Sequence, residues 1–388
     1  MIMGYLTNAR KSFKLKYAVT YFALIAFTVL MIILSSAGVL SRLGIGLLSR
    51  FAYSIIMALS LNLVVGFLGE LSLGHAGFMC IGAYIGCYCA NLLHNVIGSP
   101  LVVLILSMLI GAAAAAVFGL IIGLPALRLK GDYLAIVTLA FGEIVRNVFK
   151  NLPWFGGALG LLTKTYAPKS LFIVGFVTVL IVLFLIQNLI RSKHGRAVTA
   201  IRDNEIAARA MGINVTFYKL LVFVISAAFA GVAGVLYGHS YTPVDYSFFS
   251  YNYSIEVLVM VVLGGMGSLN GSIIAAVLIT WINSMLQNML SGDLAAIKLL
   301  VYALILIVIV LFNNAPALQK YKEKISPHHI KERLLAPRRK PGTITDDAAA
   351  WNRIPTKIPM DETLSVDLRL EEALPAQDEN GKEGPDHE

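Results

Sequence analysis

The stretch "KHGRAVTAIRDNEIAARAMGI", from Lys193 to Ile213, gathers charge and small residues between two long apolar runs. Glu205 and Arg209 stand four apart in the order that favours an ion pair on a helix, worth a few tenths of a kcal/mol. Asp203 or Asn204 can cap the start of that helix, and Asn214 or Thr216 the start of the next run. Ala207, Ala208 and Ala210 form helix readily and carry little bulk. Gly212 suits the residue just past the helix end. The chemistry this implies is recognition: alanines on one side let another protein surface approach closely. A solvated connection needs no such order.

Ionisable groups inside apolar runs are the other place where chemistry could sit, because each costs about 2.5–3.5 kcal/mol at mid-membrane unless sheltered. Glu143 is the clearest, with Arg146 and Asn147 three and four residues on, placed to pair with it on one helical face. Either it lines a substrate path or it forms an internal pair near an interface. Glu70 and His75 flank the break "GELSLGHAGF" (69–78), and Glu256 stands near the start of a later run. A second break, "GGMGSLNGS" (264–272), shares the glycine and serine character of the first. Irregular backbone at membrane depth is tolerated only against protein or a water-filled path. Paired Gly-rich breaks in two halves of a chain point toward a transport route. The candidate route is then Ser72, Gly74, His75, Glu143, Gly264, Gly265 and Gly267. The alternative is a pair of tight interhelical turns, with His75 a satisfied hydrogen-bonding residue.

Catalytic constellations are missing from the sequence. There is no G-x-x-x-x-G-K-[ST], no H-E-x-x-H and no G-x-S-x-G, so neither nucleotide hydrolysis nor a hydrolase site is expected. The seven His are scattered, and Cys80, Cys87 and Cys89 lack metal-ligand spacing, so no cofactor or metal is expected either.

The elements that must carry these groups are membrane spans. Hydrophobic residues make up 57% of the chain and charged ones 14%, against about 25% charged in soluble domains. Runs such as "SLFIVGFVTVLIVLFLIQNLI" reach the roughly 20 residues that cross a bilayer. Ten spans are predicted near 17–38, 51–68, 77–97, 101–124, 133–149, 170–190, 219–240, 253–266, 272–290 and 296–313. The fifth and eighth are short and interrupted, so the count lies between eight and ten. The fold class is all-α, a polytopic membrane protein. The start is basic and the first apolar core exceeds the 7–15 residues of a signal peptide, which predicts a retained span.

The net charge of +9 resides in flanks, not in a nucleic-acid surface. Residues 1–16 carry Arg10, Lys11, Lys14 and Lys16 without an acid; the stretch after 190 carries Arg191, Lys193, Arg196, Arg202, Arg209 and Lys219. Lys320 to Lys340 form the third basic cluster. Short basic flanks mark the cytoplasmic side. Ten spans place all three there, with both termini cytoplasmic. The domains read as 1–16 basic N-terminus, 17–313 transmembrane region with a cytoplasmic loop at 191–218, and 314–388 cytoplasmic tail. Residues 341–388 hold twelve Asp and Glu, too polar for a core, and a disordered tail is predicted.

Four segments, "ALSLNLVVGFLGELSLGHAGFMCIGAYIG", "LRLKGDYLAIVTLAFGEIVRNV", "GRAVTAIRDNEIAARAMGINVTFYKLLVFVISAAFAGVAGVLYG" and "VVLGGMGSLNGSIIAA", resemble in order the membrane subunits of branched-chain amino-acid ABC importers of the LivM type. The resemblance covers about residues 50–313. It implies that 191–218 holds an EAA-like segment docking on an ATPase, with Arg202, Glu205, Ala207, Ala208, Arg209 and Gly212 as the coupling helix. Ile206 stands where the general permease pattern has alanine, and Gly212 lies one position farther from the glutamate. It further implies a second permease subunit, two cytoplasmic ATPases that bind the ATP, a periplasmic solute-binding protein and a bacterial inner-membrane location. The implied substrates are leucine, isoleucine and valine, with urea, amides or other amino acids carried by related permeases. A secondary transporter would need facing carboxylates at mid-depth, and few are present.

Overall fold

The computed structural model describes residues 20–37, 41–129, 131–164, 166 and 168–289, with Leu304 and Ile307. The expectations for 1–16, for the tail 314–388 and for most of the span 296–313 lie outside the described residues. The protein is an all-α, polytopic membrane protein. In chain order the helices are α1 (Thr20–Ser36), α2 (Arg42–Asn62), α3 (His75–Leu93), α4 (Pro100–Ala126), α5 (Asp132–Asn151), α6 (Pro168–Arg191), α7 (Lys193–Asp203), α8 (Glu205–Ala210), α9 (Val215–Ser240), α10 (Tyr251–Gly264) and α11 (Leu269–Met289). Among the described residues six are long and apolar enough to cross a membrane: α2 with its continuation to Leu68, α3, α4, α6, α9 and α11.

α2 is the axis of the bundle. Its apolar run continues from Asn62 into a wider π-helical turn over Leu63–Leu68, of which all but Phe67 are buried. Such turns often mark functional sites. α9 packs against α2, α3 and α4, and α11 and α6 pack against α2. Glycine allows the closest of these approaches: a Cβ on Gly82 would stand 2.4 Å from the Gly231 Cα, so α3 and α9 touch backbone to backbone.

Three spans differ from expectation; one, expected near 253–266, is α10, a helix of 14 residues outside the long apolar set. α5 is a helix where 133–149 was expected, but Asp132, Glu143, Arg146 and Lys150 make it amphipathic and keep it out of the long apolar set. α2 begins well before residue 51, because the apolar pattern resumes on the other side of Arg50. The loop expected at 191–218 also holds one helix more than predicted, α7, started by Ser192.

Direction matters for the site. α2 ends, and α9 begins, beside α7 and α8; this is called the loop end. The start of α2 and the end of α9 meet at the opposite, far end.

Candidate functional site

At the loop end, three side-chain caps punctuate the chain. The Ser192 hydroxyl accepts from the His194 N–H at 3.1 Å, Asn204 Oδ1 from Ala207 at 3.0 Å and Asn214 Oδ1 from Phe217 at 3.1 Å. Each such cap contributes about 1 kcal/mol. Gly212 has φ +81°, the left-handed region that glycine occupies without strain, which turns the chain from α8 into α9. The expected pair also forms: Arg209 Nη2 donates to Glu205 Oε1 at 2.9 Å.

The other carboxylate oxygen of Glu205 points inward. It lies 3.3 Å from Lys219 Nζ on α9, and Lys219 is in turn bound to Glu70 from the first break. The Lys219 side chain is 5% exposed and Glu70 12%, so an ion-paired chain runs from α8 through α9 to the break. Here desolvation is offset only because both signs are present. Glu205 therefore anchors the helix and is not its outward contact.

That anchoring decides which face of α8 is outward, and it corrects the expected one. Ala208 shares the inward side with Glu205, three residues along, and is buried in the chain's own core. Ile206 and Met211 are 81% and 83% exposed, and Ala207, Ala210 and Gly212 are exposed with them. Arg202, at the end of α7, donates from Nη1 to the Gly66 carbonyl at 3.1 Å and so seats the loop on the π-helical turn.

The two Gly-rich breaks are not a matched pair. At 264–272 the chain makes a tight turn, with Gly265 and Gly267 at φ +88° and +79° and the Ser268 N–H donating to the Gly265 carbonyl at 3.0 Å. Buried Asn62 holds this turn: its Oδ1 accepts from the Gly267 N–H at 2.9 Å, and its Nδ2 donates to Ser272 Oγ at 3.0 Å. Gly264 lies against Gly271, where a Cβ would come within 2.5 Å of the backbone. The first break is different. Residues 69–74 form an irregular segment with Gly69 at φ +82°, Ser72 is fully buried, and α3 starts inside. The first turn of α3 meets that of α10, where the Ala76 N–H donates to Ser254 Oγ at 3.0 Å.

The remaining predicted residues serve that junction. His75 is 1% exposed; its Nε2 lies 2.8 Å from Ser60 Oγ and 3.5 Å from Ser226 Oγ. Gly74 is pressed on α5, where a Cβ would sit 1.9 Å from the Thr138 carbonyl oxygen. Glu143 pairs with Arg146 at 2.6 Å and accepts the Tyr251 N–H at 2.9 Å, fastening α5 to the start of α10. Asn147 bonds the Glu143 backbone carbonyl, not its carboxylate. Glu143 thus takes the internal-pair alternative, and Gly264, Gly265 and Gly267 the tight-turn one.

A sizeable open space lies at the far end. A cavity of about 450 Å³ is bounded by α2, the end of α9, residues 247–250, α10 and α11. Arg50 reaches it from α2, its Nε donating to the Tyr241 hydroxyl and its Nη1 to Gln287 Oε1 at 3.3 Å. Glu256 reaches it from α10 and accepts from Asn283 Nδ2 at 3.0 Å. Tyr53, Tyr237 and Phe248 form a ring wall, with Tyr237 and Phe248 stacked 4.1 Å apart. The sequence reading missed most of this site. Its signal was there on α11, where Thr280, Asn283, Ser284 and Gln287 recur at i, i+3, i+4 and i+7 in an otherwise apolar helix.

Comparison with known proteins agrees with this architecture. Residues 44–310 match the family described as "Branched-chain amino acid transport system / permease component". The chain is 40% identical over 245 residues to the high-affinity branched-chain amino acid transport system permease protein LivM of Salmonella typhimurium, covering 54% of this chain and 56% of the relative. The LivM of Escherichia coli is 38% identical over the same shares. The LivH permease protein of Salmonella typhimurium is 34% identical over 107 residues, 28% of this chain and 34% of the relative. The chain thus spans about half the length of the LivM relatives it matches. No solved structure matches it.

Proposed function

The chain belongs to the branched-chain amino acid transport system permease family, and from that premise we propose that it is the membrane subunit of an ATP-binding-cassette importer for leucine, isoleucine and valine. It forms the route through the inner membrane, while separate cytoplasmic ATPases bind and hydrolyse the ATP. The likeness to proteins named LivM and LivH supports pairing with a second permease subunit. A periplasmic binding protein delivers the amino acid. The loop end faces the cytoplasm with both termini, as the basic flanks require, and the far-end cavity opens outward.

The observation that carries this reading is the construction of α8. It is held from behind by the Glu205–Lys219–Glu70 ion chain and exposes Ile206 and Met211 in front. A helix fixed on one side and apolar on the other is built to transmit a push. ATPase docking there moves Glu70 through Lys219, and with it the irregular segment that leads to the α3–α10 junction. No step of transport needs a covalent intermediate on this chain.

Replacing Ile206 by Asp tests it. The variant should reach the membrane in normal amount, since exposed substitutions shift stability by about 0.5 kcal/mol or less. ATP-driven leucine uptake in vesicles and co-purification of the ATPase should both fall. Full uptake with the ATPase retained would refute docking at α8.

A further inference from the structure

The outward face of α5 is ill suited to lipid, although the helix must cross it. α4 ends at the loop end, where a Cβ on Gly123 would stand 2.8 Å from Leu220 at the start of α9. α6 runs into α7 at that same end, so it starts at the far end. α5 therefore crosses between them. Its 20 residues, at about 1.5 Å each, match a hydrocarbon core of about 30 Å.

The inner face of α5 is occupied, with Leu134, Phe141 and Phe149 buried in the bundle. On the opposite face Ile136, Ala140, Ile144, Asn147, Val148 and Asn151 recur at steps of three and four, and all are exposed. The Arg146–Glu143 pair flanks this stripe, with the two side chains 24% and 23% exposed. Neighbouring helices differ. From Leu101 to Leu124 of α4, and from Leu171 to Gln187 of α6, every exposed residue is apolar. Lipid suits those faces, but it offers nothing to an amide. The Asn147 and Asn151 Nδ2 groups each donate to the carbonyl one turn back, Glu143 and Asn147, at 2.8 Å. Among the described residues neither side-chain carbonyl accepts a hydrogen bond in return.

Polar side chains on a spanning helix face protein or a water-filled cavity, and amides bond across the seam between helices. An open groove of about 460 Å³ runs beside these two, along Ile144, Val148 and Leu152. It gives the side chains of an opposing helix room to interlock. The chain's own apolar run 303–312, "ALILIVIVLF", has no side chain that could donate to them. On the permease reading, the ATPases act at the loop end and the binding protein outside the far end. A second permease subunit shares the membrane itself.

We propose that the outward face of α5, from Ile136 to Asn151, is the seam against a spanning helix of the second permease subunit, with Asn147 and Asn151 hydrogen-bonded across it. The proposal rests on the permease reading and assigns the surface at which its two membrane subunits meet.

The test uses the full chain co-expressed with the second permease subunit and the ATPases. The photo-crosslinker p-benzoylphenylalanine replaces Val148, or Ile181 on the apolar face of α6 as the control. Irradiation should join the chain to the second permease subunit from position 148 and not from 181. Asn147→Leu and Asn151→Leu should each lower the amount of that subunit retained on purification about threefold, and together about tenfold. The level of the chain in the membrane should stay unchanged. The crosslinker variants keep both amides and cover the case in which a leucine variant misfolds. Adducts from 148 to lipid, to residues 296–313 of the same chain or to a second copy of it would overturn the seam. So would equal adducts from 181, or full retention in the double variant. Uptake assays on the same assemblies separate the two readings. Intact ATP-driven leucine uptake without the expected adduct refutes the seam alone, whereas absence of any uptake by the wild-type assembly refutes the permease reading.

Discussion

The loop end and the far end both place charge on helices, and they treat it in opposite ways. At the loop end Lys219 lies between Glu70 and Glu205, in direct contact with both, and the charges are spent on holding three segments together. At the far end Arg50 is bonded to Tyr241 and Gln287, and Asn283 donates to Glu256, across a cavity of about 450 Å³. Opposite charges in contact make a fastener. The difference is visible only in the partners, because each end contains the same kinds of residue.

The contrast can be broken most directly at Lys219. Lys219→Met removes the cation between half-buried Glu70 and Glu205, of which Glu205 keeps Arg209; breaking a pair this little exposed costs up to about 3 kcal/mol. Membrane levels and the thermal midpoint in detergent should fall sharply. Glu256→Gln, at the far end, should lower the midpoint much less; equal losses would erase the distinction between the two ends.

Ala208→Trp should have the next largest effect. Its site is inside the chain's own core, so overpacking should cost about 1–3 kcal/mol and appear as a lower thermal midpoint. If the midpoint holds and only ATPase binding is lost, Ala208 faces outward and the orientation of α8 is wrong.

Asn204→Ala sharpens the same point more gently. It removes the cap of α8 and should cost about 1 kcal/mol, read as faster amide exchange confined to 205–211. Loss spread evenly over the bundle would contradict a locally capped helix. The smallest effect belongs to Thr199→Ala. Among the described residues the Thr199 hydroxyl bonds only carbonyls of its own helix, Gly195 at 3.2 Å and Arg196 at 3.0 Å. Stability should change by about 0.5 kcal/mol or less, with uptake unchanged.

Much of the loop end was legible beforehand, for a physical reason. The Glu205–Arg209 pair, the Asn204 and Asn214 caps and the positive φ of Gly212 are set by residues within four positions of one another. Local spacing on a helix settles such contacts. The Glu143–Arg146 pair was readable on the same ground. The Glu143 bond to Tyr251 was not, since it joins residues far apart in the chain. α7 was missed although Ser192 stands at its start, and it carries glycine at position 195 in its first turn. In the fold that glycine is needed: a Cβ there would stand 2.1 Å from the Ile190 carbonyl oxygen.

By itself the sequence determined that this protein is all helix and built for a bilayer, because apolar run length and helical period are local quantities. It determined the caps, the pair on α8 and the lack of a nucleotide-cradling motif on the same basis. Only the tertiary structure decided that Ala208 turns inward, that the start of α3 meets the start of α10, and that Arg50 and Glu256 line one cavity. Those outcomes depend on which distant helices come to touch. In a chain so uniformly apolar, hydrophobicity does not distinguish one neighbour from another. The choice falls to glycine contacts and to a few buried polar bonds, such as Asn62 to Ser272 and Lys219 to Glu70, whose partners lie far apart along the sequence.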